Sequence, residues 1–165
     1  MKVKTESKSD IQIRLAVVDE AESIASVLHQ AFAEYETLYT PKALAATALT
    51  ADQILKRWNE GPVWVALQHD TLVGTVAAVP KGEALYIRSM AILPTGRGQG
   101  IGRLLLQQIE RFAHEQNYRR LFLSTTPFLS RAIRLYEQFG FQRRSDGPYE
   151  LFGTPLFTMV KPLNS

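Results

Sequence analysis

Four glycines fall within seven residues of this chain, Gly96-Arg97-Gly98-Gln99-Gly100-Ile101-Gly102, between a strand-like run ending Ala91-Ile92-Leu93-Pro94 and a helical pattern that follows at once. Glycine lets the backbone turn left-handed and lets a ligand come close, while a helix start offers unpaired N–H groups at the positive end of its dipole. A phosphate or pyrophosphate is the natural occupant of such a place. A turn that merely joins two elements has no need of four glycines beside Arg97 and Arg103. Two nucleotide signatures fail here. A P-loop ends in Gly-Lys-Ser/Thr, whereas Gly102 is followed by Arg103 and Leu104. A dinucleotide fingerprint counted from Gly98 and Gly100 needs its third glycine where Arg103 stands. It also needs an acid about 20 residues further on, and Arg119 to Thr126 holds none.

The elements around this loop alternate in type. Ile11-Gln12-Ile13-Arg14-Leu15 reads as a strand. Asp19, with Glu22 three residues later, reads as a capped helix start whose apolar face (Ile24, Val27, Leu28, Ala31, Phe32) runs to Tyr35, before Tyr39-Thr40-Pro41 breaks it. Thr50 or Asp52 starts a second helix with Ile54, Leu55 and Trp58, stopped by Gly61-Pro62. Val63–Leu67 and Leu72–Val79, joined by Gln68-His69-Asp70-Thr71, read as an antiparallel hairpin, and Pro80-Lys81-Gly82 turns into a third strand, Ala84–Leu93. A helix follows over Gly100–Gln116, then a strand over Arg120–Thr125. Next comes a helix capped by Ser130 and stopped by Gly140, and strands at Phe141–Arg143 and Leu156–Val160. The order predicts a single mixed α/β (α+β) domain over 11–165, about four helices flanking one sheet, behind a flexible segment at 1–10.

Composition bounds the function. With 165 residues, 45% of them apolar and 21% charged, the chain suits one folded domain. The absence of cysteine excludes disulfides, thiolate metal ligands and an acyl-cysteine mechanism. No run approaches the ~20 apolar residues of a membrane span, and Met1–Lys8 lacks the apolar segment of a signal peptide. A soluble, cytoplasmic protein without a metal is therefore expected. Charge is uneven: nine arginines against three glutamates between Arg97 and Arg144 give +6, leaving −3 elsewhere, with five acids and no Lys or Arg from Val17 to Pro41. Two solvated faces would explain this, as would an anionic ligand on the second half and a cationic one on the first. The pI near 9.3 raises nucleic acid, but no helix carries a continuous basic stripe.

Arg97-x-x-Gly100-x-Gly102, after a strand and opening a helix, resembles the acetyl-CoA motif of the GNAT superfamily of N-acetyltransferases. Ser130-Arg131-Ala132-Ile133-Arg134-Leu135-Tyr136-Glu137-Gln138-Phe139-Gly140-Phe141 resembles its second signature, a helix ending in Tyr-x-x-x-Gly-Phe, and the element order fits over nearly the whole chain. The resemblance implies a sheet splayed at Ala84–Leu93, with acetyl-CoA as acyl donor. Its pantetheine arm would pair with Met90, Ala91 and Ile92, and its pyrophosphate would sit on the N–H groups of Arg97, Gly98, Gln99, Gly100, Ile101, Gly102 and Arg103. Ser130 would touch the cofactor, and Tyr136 would stand near the sulfur as the acid that protonates the leaving thiolate.

The base is open. Where many relatives carry a glutamate on the central strand, this chain has Tyr86; Glu34, Glu36, Glu83 and Glu150 are the remaining candidates. His29, His69 and His114 are scattered. Arg88 and Ser89 are expected on opposite faces of their strand, Arg88 to bind an acidic group of the acceptor or to pair with a helix acid. Tyr35, Tyr39, Tyr86 and Tyr149 are candidates to line the acceptor pocket, and Glu34 and Glu36 point to a cationic acceptor. The expected partner is an amine-bearing small molecule or protein, with no nucleic acid and no membrane, and the chain acting as a monomer or homodimer. A CoA-binding sensor without catalysis, or an enzyme using another acyl-CoA, are the alternatives.

Overall fold

Alternation dictates the sheet. In the computed structural model, which describes residues 10–164, Trp64 and Ala66 face one core while Val65 and Leu67 face the other. Strands β1 (Ile11–Leu15), β2 (Val63–Gln68), β3 (Thr71–Lys81) and β4 (Ala84–Ile92) form an antiparallel meander. The β2–β3 turn is just His69-Asp70, both at positive φ (50° and 65°), the twist that two-residue hairpins favour. Strand β5 (Arg120–Thr125) joins β4 in parallel, and the sheet ends in β8 (Thr154–Pro162) with the short β6 (Gln142–Arg143) beside it. The order is β1-β2-β3-β4-β5-β8-β6, with β7 (Tyr149–Leu151) folded back on β8.

Helices cover both faces. On one, α1 (Ala21–Phe32) and α3 (Ala51–Lys56) bury Ile24, Val27, Leu28 and Ile54 against Val65 and Leu67. On the other, α4 (Ile101–Glu115) seats Ile101, Leu105, Leu106 and Ile109 on Trp64, Val76 and Leu121, and α5 (Ser130–Gln138) adds Tyr136, with Phe139 just past its end. Each such side chain contributes about 1.5–3 kcal/mol by leaving water, so both helix layers are held by burial rather than by surface pairs. The mixed α/β class and the splayed sheet match the sequence reading, which did not include β7.

Three local expectations change. A helix absent from that reading, α2 (Pro41–Thr47), makes five: Thr40 Oγ1 accepts from the Ala43 N–H at 3.2 Å and Pro41 takes the first helical position, where a missing N–H costs nothing. Asp19 is not a cap, because a 3₁₀ turn over Val18–Glu20 precedes α1; the Glu20 carboxylate instead accepts from the Val17 N–H at 2.9 Å and from both Arg14 Nη atoms. Ser130 is already helical, behind Leu129, and caps nothing. The α1 helix itself ends at Phe32 and tightens into a 3₁₀ turn over Ala33–Leu38. Thr50 does cap α3, in a reciprocal box with Gln53, and Gly140 stops α5 at φ 106°. The flexible segment expected at 1–10 lies almost wholly outside the described residues.

Candidate active site

Strands β4 and β5 pair only from Ala84↔Arg120 to Tyr86↔Phe122, and beyond Tyr86 they diverge. The gap becomes a cleft of about 490 Å³ walled by β4, β5, the chain after α1, and α5. A bulge sits in β4 where the register with β3 slips between Thr75 and Ala77, and Ser89 adopts φ 55° there. The extra residue re-aims the strand. Seven consecutive residues of this strand edge, Tyr86 to Ile92, border the cleft, Arg88 and Ser89 among them.

The β4 edge facing the gap has no strand partner past Tyr86. The Leu93 N–H donates to the Val73 carbonyl at 2.8 Å on the β3 side. Period-two alternation therefore turns the Ile92 N–H the other way, into the gap. At the same end stands α4, whose N-cap Gly100 (φ 78°) supplies no side chain, so the first N–H groups of the helix are left without a cap. A Cβ placed on Gly98 or Gly100 would meet no atom within 4 Å, so the loop faces open space. Gly102 differs: its Cβ would lie 2.6 Å from Leu135 Cδ2, and its role is the close approach of α4 to α5. This loop fits a pyrophosphate through backbone N–H groups. The side chain of Ile101 is buried in the core, that of Arg103 reaches over the Phe139 ring at 5.9 Å, and Gln99 accepts from Gln68 at 2.5 Å.

Tyr136 is buried on the cleft wall, and its hydroxyl donates to Met90 Sδ at 3.9 Å. Burial pushes its pKa well above the ordinary tyrosine value, so the proton stays on Oη. Opposite, Tyr39 is pushed up to about 12 by burial and packs edge-on against Phe128 with centroids 4.8 Å apart, next to Tyr35. Tyr86 stacks on Phe122 at 5.0 Å, on the last rung before the sheet opens. A tie between distant segments adjoins Tyr39 of the cleft wall: Thr40 Oγ1 donates to the Phe152 carbonyl at 2.8 Å, and the Thr40 N–H donates to Thr154 Oγ1 at 3.0 Å.

Of the residues singled out in the sequence, Met90, Ala91, Ile92, Arg97, Tyr35, Tyr39, Tyr86, Arg88 and Tyr136 line this cleft. The acids do not. Glu34 sits at the rim, its carboxylate bound to Arg97 and 3.9 Å from Arg131. Glu83 meets Arg119 and Arg120 at the far end of the sheet, and Glu36 and Glu150 are exposed outside the cleft wall. Tyr149 is turned outward to Asp146 at 2.6 Å. Ser130 is exposed at the start of α5, while its neighbour Arg131 reaches the cleft. Sequence reasoning missed Arg57, Thr47, Thr126 and Arg131; only Arg131, inside a motif already singled out, carried a usable signal. Among the described residues no group of His, Asp and Glu is arranged to hold a metal, and no helix is long and apolar enough to cross a membrane.

Comparison with known proteins agrees with this geometry. Residues 25–141 match the model of the acetyltransferase (GNAT) family. The chain is 29% identical over 141 residues to the "Uncharacterized N-acetyltransferase YjgM" of Escherichia coli, covering 82% of this chain and 83% of that one. It is 32% identical over 112 residues to N-acetyltransferase 8F1 of Rattus norvegicus, covering 62% of this chain and 51% of the rat protein. Its fold resembles the ribosomal-protein-S18-alanine N-acetyltransferase of Escherichia coli (TM-score 0.76, 16% identity, 94% and 95% coverage). It also resembles the PaiA N-acetyltransferase of Thermoplasma acidophilum, solved in complex with coenzyme A (TM-score 0.76, 16% identity, 93% and 99% coverage). A family match across most of the chain, on a sheet that opens where a glycine loop meets an uncapped helix, places this protein in the acetyltransferase (GNAT) family as an acyltransferase.

Proposed function

We propose that the protein transfers the acetyl group of acetyl-CoA directly to a primary amine. The observation that carries this reading is the free edge of β4 beyond Tyr86, leading to the uncapped start of α4. An extended, amide-bearing pantetheine arm suits the edge at Met90, Ala91 and Ile92 as an added strand would. The N–H groups from Gly98 to Arg103 suit the pyrophosphate, with Arg97, Ser130 and Arg131 beside it.

Bound acetyl-CoA supplies a thioester, at whose carbonyl carbon the acceptor nitrogen forms a C–N bond while the C–S electron pair leaves on sulfur. The Ile92 N–H donates to the carbonyl oxygen as charge gathers there. Tyr136 holds its proton at Oη beside a sulfur on the cleft wall, Met90 Sδ; in this reading it hands that proton to the leaving sulfur and regains one from water as the cycle closes. The nitrogen must arrive neutral. Among the described residues no carboxylate lines the cleft to strip its proton, but Arg57 and Arg88 do line it. Their charge disfavours an ammonium in the cleft, and the released proton passes to water.

Thiol release from acetyl-CoA with a broad amine panel tests the reading. Release in proportion to an acetylated amine is the expected result. A carboxylate-free cleft also suits a CoA-binding sensor, and tight CoA binding with no release by any amine would establish that reading instead.

A further inference from the structure

Resting on the acetyl-transfer reading, we infer that the acceptor carries a carboxylate, or an equivalent single anion, close to its amine, and that Arg57 and Arg88 receive it. Four arginines line the cleft and no carboxylate among the described residues does. Their pairing divides them into two groups. Arg97 and Arg131, at the phosphate end, share Glu34. Arg88, at the other end, spends Nη2 on the half-exposed Glu60 at 2.6 Å and keeps its remaining N–H groups. Arg57 caps the C-terminal end of α3 and, among the described residues, pairs with no carboxylate. The one carboxylate that feels both charges is Glu60, so two half-buried guanidiniums share a single half-exposed counter-ion, and an anionic ligand would offset the positive charge left over.

Spacing sets the size of that ligand. Because of the bulge, the three residues from Arg88 to Ala91 cover the two-residue step from Ala77 to Thr75, about 7 Å of rise, so Arg88 and Met90 lie within that distance along β4; Met90 Sδ marks the Tyr136 hydroxyl where the thioester sulfur is proposed to lie. An anion on Arg57 and Arg88 with an amine beside Tyr136 is therefore the footprint of an amino acid or a similarly short amino-carboxylate. Both guanidinium charges oppose the upward push that burial gives the Tyr86 hydroxyl, and both arginines also line, with Ser89, a small recess of about 30 Å³. The cation-binding acceptor site expected from Glu34 and Glu36 is replaced by its opposite.

The test uses matched trios built on alanine, leucine, phenylalanine, aspartate and glutamate: the amino acid, its carboxamide, and the amine lacking the α-carboxylate. Binding to the CoA-saturated protein is measured by calorimetry, and thiol release from acetyl-CoA is measured separately. At least one amino acid should bind about 10- to 100-fold more tightly than its carboxamide, the worth of a charged hydrogen-bonded contact. Arg57→Gln should erase that preference and Arg57→Lys restore part of it, with CoA affinity unchanged. Amino acids that bind no better than their carboxamides, or an Arg57→Gln protein that keeps the preference, would overturn the inference. So would the absence of binding by every member. Carboxylate-selective binding with no thiol release would uphold the anion site and sink acetyl transfer, so the two failures are distinguishable.

Discussion

Glu34 Oε1 is bound by Arg97, an arginine of the glycine loop, and lies 3.9 Å from Arg131 of α5, so one carboxylate oxygen serves both guanidiniums. Any phosphate entering the loop competes with this carboxylate for the same two guanidiniums. Glu34→Gln should therefore tighten coenzyme A binding by about 2- to 5-fold at low salt, the range of an exposed ion pair. The gain should fade as salt screens the pair. Calorimetry across an ionic-strength series checks it; weaker binding by the variant would make Glu34 a support for Arg97 rather than a competitor.

Tyr136→Phe removes the hydroxyl from Met90 Sδ and leaves the ring packed against Phe141. A lost general acid is worth ~10² to 10⁴-fold in rate, and a thiolate of pKa ~8.5 is a tolerable leaving group. The decrease in kcat should accordingly lie near the lower end, about 10², with acetyl-CoA affinity intact. Single-turnover rates, taken with the melting temperature of the variant, decide. Wild-type kcat in a folded variant would return Tyr136 to the core and leave water as the donor.

Gly100 separates backbone strain from ligand access. Valine there must adopt φ 78°, costing about 1–2 kcal/mol, whereas asparagine tolerates the left-handed region. Gly100→Val should lower both melting temperature and CoA affinity; Gly100→Asn should keep the first and still lose affinity, since its side chain occupies the open space in front of the loop. Undiminished binding by Gly100→Asn would mean the phosphates sit elsewhere.

Burial of Tyr39 sets an alkaline limit on stability. In the unfolded chain its hydroxyl ionises near 10, and in the fold near 12. Below pH 10 both states hold the proton and the fold loses nothing. Between these values the unfolded state binds fewer protons, so stability falls as pH rises. Melting temperature should decline across that window, and Tyr39→Phe should decline less steeply. Parallel curves would show that Tyr39 does not drive the loss.

The sequence showed the glycine loop, most of the strand runs and the two signature helices because each is a local pattern: glycine spacing, period-two runs, a helical stripe ending in Gly140. It hid what depends on contacts between distant segments. The bulge at Ser89 uses a serine at φ 55°, so no glycine marks it, and the faces of Arg88 and Ser89 could not be assigned by counting. Pro41 looked like a break because a proline that ends one helix and a proline that opens the next read alike until Thr40 is seen to cap α2. The acids between Val17 and Pro41 suggested a cationic acceptor, yet Glu20 is committed to Arg14 and Glu34 to Arg97.

Strand β8 is made after every other strand and lies inside the sheet, between β5 and β6. Chain growth from the N-terminus therefore cannot complete this sheet in order. Until Thr154–Pro162 arrives, the β5 edge that pairs with β8 has its backbone N–H and C=O groups open, a template for pairing with another chain. The tie at Thr40 waits on the same event, because Thr40 finds Phe152 and Thr154 only after more than a hundred intervening residues have been placed. A chain halted before β8 would hold every residue of the glycine loop and lack both Leu156 of the cleft wall and the Thr154 partner of Thr40.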